Sequence, residues 1–77
     1  MNSSVQNDSA QHLMETNDEY RELAQQHSDH GRRLDELSAR RFPTPEEQLE
    51  EMQLKKKKLH LKDRMHGLMR EYEKQAS

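Results

Sequence analysis

A chain of 77 residues, 36% charged and 29% hydrophobic, allows one small domain at most. With one Val, no Ile, two Thr and three aromatics it cannot build a β-sheet core, and without Cys it has neither disulfides nor thiolate metal sites. No apolar run approaches the roughly 20 residues that span a bilayer, and residues 1–12 lack the basic start and apolar stretch of a signal peptide, so a reducing, cytoplasmic setting is expected.

The remaining composition is rich in Leu, Met, Glu, Lys, Arg and Gln, all good helix formers, so the expected class is all-α. Residues 1–8 carry no period and no apolar anchor beyond Val5, and are expected to form a disordered tail. From Leu13 a 3–4 spacing begins: Leu13, Thr16, Tyr20, Leu23, His27, His30, Leu34, Leu37 and Arg41 occupy one narrow stripe, like a coiled-coil seam. This predicts a first helix over about 9–41. Asp8 or Ser9 is a candidate cap, and Thr16 with Glu19 is a capping box that would start it later. Gly31 lies inside the pattern and weakens the helix by about 1 kcal/mol relative to Ala.

Pro43 disfavours helical geometry at Phe42, and Thr44-Pro45-Glu46-Glu47 has the order of cap, first-turn proline and capping-box glutamate. A second helix is therefore predicted over about 45–74, and the two helices are expected to form an antiparallel hairpin over 9–77. Charge order supports that topology. Residues 8–29 hold six acids against one base, and residues 55–77 hold eight bases against three acids. Near the turn the signs reverse, with four Arg and two acids in 30–41 facing Glu46, Glu47, Glu50 and Glu51. Each exposed pair is worth only tenths of a kcal/mol, yet together they favour one arrangement over its alternative.

The second helix has two apolar faces. Leu49, Met52 and Leu59 lie on one side; Leu54, Leu61, Met65, Leu68 and Tyr72 lie about 180° away. One stripe on the first helix covers only one face, so the expected hairpin core is Leu23, Leu34, Leu37, Leu49, Met52 and Leu59. The other row, Leu54 to Tyr72, is expected at a partner interface, most simply in a homodimer that forms a four-helix bundle. The docking of another protein through this helix is kept beside self-association.

The chemistry-bearing residues point to no reaction. Lys55 to Lys58 encircle a helix, and only Lys55, Lys58 and Lys62 share a stripe, making them candidate anion contacts. No aromatics interleave to stack bases and the net charge is −2, so a nucleic-acid role is the alternative rather than the leading reading. His27 and His30 share a face, but the Glu-x-x-His pattern of a bundle metal site is missing, so no metal or cofactor is expected. There is no Gly-rich phosphate loop, and two helices enclose no pocket for catalysis. Tyr72 is expected to anchor the bundle end, Lys58 and Lys62 to meet acids of the first helix, and Asp63 to meet Arg21 or cap a polar gap.

The segment Leu54-Lys55-Lys56-Lys57-Lys58-Leu59-His60-Leu61-Lys62-Asp63-Arg64-Met65 resembles the LKxxKLxLKDEI-like signature of the YdcH-like family of small bacterial proteins. His30 to Leu37 looks like that family's His-x-x-Leu-Asp-x-x-Ile region, with one extra residue between His and Leu, and Arg64 stands where an acid is usual. The resemblance covers roughly residues 20–72. It implies a bacterial cytosolic helical hairpin or coiled coil; the family is largely uncharacterised, so the resemblance implies no particular activity. The expected function is a small non-catalytic protein–protein interaction module that self-associates through its second helix. The alternative is a nucleic-acid-associated accessory protein using lysines 55–62.

Overall fold

A computed structural model describes residues 2–76, with side chains from Asp8 to Gln75. The described chain is helical: α1 (Asn2–Thr16), α2 (Asp18–Ser38) and α3 (Pro45–Ala76). The expected first helix over 9–41 differs from this at three points. The helix begins at Asn2, so residues 2–8 of the expected tail are helical backbone, while Met1 lies outside the described residues. Its anchors lie further along, at Ser9 and Leu13, which are 3% and 5% exposed; a helix held there propagates back toward its start at little cost per residue.

The second difference is a break at Asn17, whose backbone is extended at φ −120°, ψ 111°. Its amide still donates to the Leu13 carbonyl at 2.8 Å, and its carbonyl accepts from the Arg21 amide at 3.1 Å, so the chain bends without losing these hydrogen bonds. The Asn17 side chain accepts from the Tyr20 amide at 2.9 Å and is the N-cap of α2. Neither Asp8, Ser9 nor a Thr16–Glu19 box caps this helix. The Thr16 hydroxyl instead donates to the His12 carbonyl at 2.8 Å, and Asp18 and Glu19 fall in the first turn of α2, where the helix dipole favours them.

The third difference is the stop. α2 ends at Ser38 rather than Arg41. The Ser38 hydroxyl donates to the Leu34 carbonyl at 2.7 Å, the Ala39 amide to Asp35, and the Arg40 amide to Leu37, so the last carbonyls are satisfied early. Arg40 then reaches Glu47 at 2.7 Å across the turn.

The start of α3 follows the sequence pattern. The Thr44 amide donates to the Glu47 carboxylate at 2.9 Å, and the Glu47 amide donates to the Thr44 hydroxyl at 3.1 Å, a reciprocal capping box ahead of Pro45. Thr44→Ala should cost about 1 kcal/mol. Urea unfolding tests this, and an unchanged midpoint would show that the box adds nothing.

α2 and α3 run side by side in opposite directions. Arg33, late in α2, grips Glu50, early in α3, at 2.7 and 2.9 Å; Arg64, late in α3, grips Glu19, early in α2, at 2.8 and 3.0 Å. α1 continues along the far half of α3. The Ser9 hydroxyl donates to Glu73 at 3.1 Å, and the His12 ring stacks on Tyr72 with centroids 4.4 Å apart. Leu13, Tyr20 and Leu68 form the core there, with Ala10, Leu23, Met65, Met69 and Tyr72 packed around them.

Candidate functional site

The α3 residues that turn toward the other helices fall at 47, 50, 54, 58, 61, 65, 68 and 72, steps of three and four throughout, and every one is buried or half-buried. This overturns the expected division of faces. Leu54 and Leu68, assigned to a partner interface, are 8% and 7% exposed within the single chain, and Leu61, Met65 and Tyr72 are half-buried. Leu49, Met52 and Leu59, assigned to the hairpin core, are 55%, 58% and 58% exposed. Of the other expected core residues, Leu37 is fully buried, and Leu23 and Leu34 are half-buried.

The physical reason is length. The stripe on α1 and α2 runs from Leu13 to Leu37, and the antiparallel pairing lays it along most of α3. A row reaching from Leu54 to Tyr72 buries more apolar area against it than one confined to residues 49–59. Toward the turn, Glu47 and Glu50 continue the same row and meet Arg40 and Arg33. The guanidinium of Arg33 holds the Glu50 carboxyl below the usual carboxylate range.

Two surfaces remain as candidate sites. The first is the outward row of Leu49, Met52 and Leu59, with Phe42 in the preceding turn 88% exposed. The second is a groove of about 580 Å³ between α2 and α3. Tyr20, Leu34, Leu59, Met65 and Met69 supply its apolar lining. Its polar lining is Lys55, Lys58, Lys62, His27 and His66, and it includes no acidic side chain. The structure thus brings the three candidate anion contacts into one groove.

Their expected pairing with acids of the first helix is not what the structure holds. Lys55 pairs with Glu51 on its own helix at 2.9 Å. Among the described residues, neither Lys58 nor Lys62 has a carboxylate within ion-pair distance. Arg21 pairs with Asp18 rather than Asp63. The Lys58 stem instead lies across α2, its Nζ 3.4 Å from where a Cβ on Gly31 would sit. Gly31 was legible as a weak point in the helix, but not as the spot where a lysine crosses it.

Gly31 has negative φ, and the atoms that a methyl there would meet are the mobile end of Lys58. Gly31→Ala should therefore stabilise by about 0.5–1 kcal/mol, as should Gly67→Ala, which meets nothing within 4 Å. Thermal melts of both variants check this. A destabilised Gly31→Ala beside a stabilised Gly67→Ala would show that the Lys58 crossing is rigid.

Burial, and then the charges of Lys58, Lys62 and His30, hold His27 below the usual imidazole range. The unfolded chain therefore takes up this proton more readily than the folded one. The stability contributed by neutral His27 is full above its ordinary value of 6.5 and is lost as pH falls below it. The melting temperature should fall between pH 7.5 and 5.5, and His27→Gln should remove much of that fall. The paired carboxylates Asp29, Glu47 and Glu50, all held low, lose their contribution only at more acidic pH. An unchanged pH profile in His27→Gln would overturn the assignment.

Among the described residues no group of three His, Asp or Glu side chains converges to hold a metal ion, and no helix is long and apolar enough to cross a membrane. Tyr20 does not supply a stacking platform: it is 4% exposed, and its hydroxyl donates to the Met69 sulfur at 3.7 Å. Comparison with family models matches residues 20–69 to a family described as a protein of unknown function, DUF465. No curated protein and no solved structure matches the chain. The matched segment takes in α2 from Tyr20 onward, the turn and α3 as far as Met69, and therefore the residues of both candidate surfaces.

Proposed function

The chain belongs to the DUF465 family of proteins of unknown function, and we propose for it a non-catalytic role as a protein–protein interaction module that self-associates through α3. The observation that carries this reading is the outward row Leu49, Met52 and Leu59, with Phe42 in the preceding turn, each more than half exposed on a chain of 77 residues. A small domain with an unpartnered apolar row gains stability by covering it. The occupant is a second copy. Outside the inward row and the groove pair Lys58 and Lys62, α3 is acidic before Leu54, at Glu46 and Glu51, and basic after it, at Lys55, Lys56 and Lys57. Two such helices laid antiparallel about a two-fold axis near Leu54 place each acidic stretch beside the other's lysines and Leu49 opposite Leu59. Each copy then acts as a coiled-coil-like hairpin of α2 and α3, and the pair makes a four-helix bundle.

Sedimentation across a micromolar concentration series tests the proposal. A dimer that dissociates on dilution is the expected result; a monomer at high micromolar concentration would sink it. The alternative, a nucleic-acid accessory role for lysines 55–62, predicts retention on duplex DNA that weakens steeply as salt rises.

A further inference from the structure

The groove between α2 and α3 has a character that the outward row does not share. Its lining combines aliphatic and thioether side chains, Leu34, Leu59, Met65 and Met69, with the cations Lys55, Lys58 and Lys62 and two histidines. Its volume, about 580 Å³, lies in the range of sites that enclose small ligands. On a protein of net charge −2, an acid-free lining is a local concentration of positive charge against the sign of the whole. Lys58 and Lys62 keep that charge uncompensated among the described residues, although α2 and α3 carry acids that pair with Arg33, Arg40, Lys55 and Arg64. Lys58 is half-buried and laid over Gly31, so its ammonium sits at the junction of the helices rather than free in solvent. Met65 and Met69 form an adaptable apolar surface.

We propose that this groove binds a single-chain anionic amphiphile, a long-chain carboxylate, with its aliphatic chain against Leu34, Leu59, Met65 and Met69 and its carboxylate between Lys58 and Lys62. The charge pattern selects the anionic head, and the apolar lining selects an unbranched tail over a nucleotide or sugar. Nucleic acid fits less well because the groove presents no exposed Phe, Tyr or Trp ring for stacking, with Tyr20 buried and its hydroxyl engaged by Met69. This site rests on the groove lining and not on self-association, although Leu59 belongs to both surfaces.

Decanoate below its micellar concentration is the probe, added to the full chain and followed by calorimetry and by the methyl resonances of the methionines. Saturable binding is expected, with the Met65 and Met69 methyls shifting and that of Met14, on α1 and outside the groove, staying in place. Lys58→Gln and Lys62→Gln should each weaken binding about tenfold, the loss of one charge-assisted contact. Lys57→Gln, exposed and outside the lining, should not. Circular dichroism of each variant establishes that it folds, and the methionine shifts in the unaltered chain stand independently of any variant. No saturable binding, equal weakening by Lys57→Gln, equally tight binding of an uncharged-head detergent, or binding to anionic vesicles or duplex DNA but not to monomeric decanoate would each overturn the site. The oligomeric state, measured separately by sedimentation, distinguishes failure of this site from failure of self-association.

Discussion

Leu68→Glu should unfold the far half of the molecule at every protein concentration, whereas Leu59→Glu should leave the fold intact and abolish self-association. Both changes put a carboxylate in place of a leucine on α3, nine residues apart. Leu68 is 7% exposed and packs with Leu13 and Tyr20. Its loss removes about 2–5 kcal/mol of packing, and the new carboxylate adds a desolvation cost with no cation assigned to meet it. A domain of this size has a stability of only a few kcal/mol to oppose that. Leu59 is 58% exposed, so its replacement should move folding stability by no more than about 0.5 kcal/mol. Far-UV circular dichroism and thermal melting separate the two, with sedimentation reporting association. A Leu68→Glu variant that melts like the parent would mean that this row is not the internal one. A Leu59→Glu variant that still dimerises would remove the outward row from the interface.

The contrast bears on what could be read from the residues. Helical class, the turn at Pro43 and the Thr44–Glu47 box were legible because each rests on a local rule: composition, the restriction a proline places on the residue before it, and a cap with its glutamate three residues on. The α2 face was legible too, since Tyr20, Leu23, His27, His30, Leu34 and Leu37 are all buried or half-buried. The inward face of α3 is not legible from its apolar residues alone, because both rows carry them. Including Glu47, Glu50 and Lys58 makes the row from 47 to 72 continuous in steps of three and four, with apolar residues along its far half, while the row of Leu49, Met52 and Leu59 continues only through Asp63, His66 and Arg70. A signal for the correct face was therefore present, in Glu50 facing Arg33 of α2 and Glu47 facing Arg40 just beyond its end.

The break at Asn17 was hidden for a different reason. Asn17 lies between Thr16, which also offers a cap, and Asp18 and Glu19, which suit either start, so local preference did not separate the alternatives. Packing decides it. With the bend at Asn17, Ser9, His12 and Leu13 reach Glu73, Tyr72 and Leu68 on α3. The groove was legible only in part. The shared stripe of Lys55, Lys58 and Lys62 follows from spacing on one helix, but the contributions of Tyr20, His27 and Leu34 depend on how α2 lies against it.

Leu13→Ala should release α1 while α2 and α3 stay paired. Leu13 is 5% exposed in the core with Tyr20 and Leu68, and truncating a leucine so placed costs about 2–5 kcal/mol. Among the described residues, the other ties of α1 include the packing of Ala10 on the core, the Ser9–Glu73 hydrogen bond and the His12–Tyr72 stack, each worth on the order of 1 kcal/mol. They do not offset a loss of that size. The extended backbone at Asn17 already separates α1 from α2, and the Asn17 cap lets α2 keep its own start when α1 leaves. Opening should therefore be local, with the Arg33–Glu50 and Arg64–Glu19 contacts retained between α2 and α3. Hydrogen exchange is the decisive measurement. Amides of residues 2–16 should lose protection in Leu13→Ala, while those in the middle of α2 and α3 keep it. Equal loss of protection in all three helices would mean that α1 and the α2–α3 pair unfold as one cooperative unit, and that the bend at Asn17 is not a boundary in the energetics of the chain.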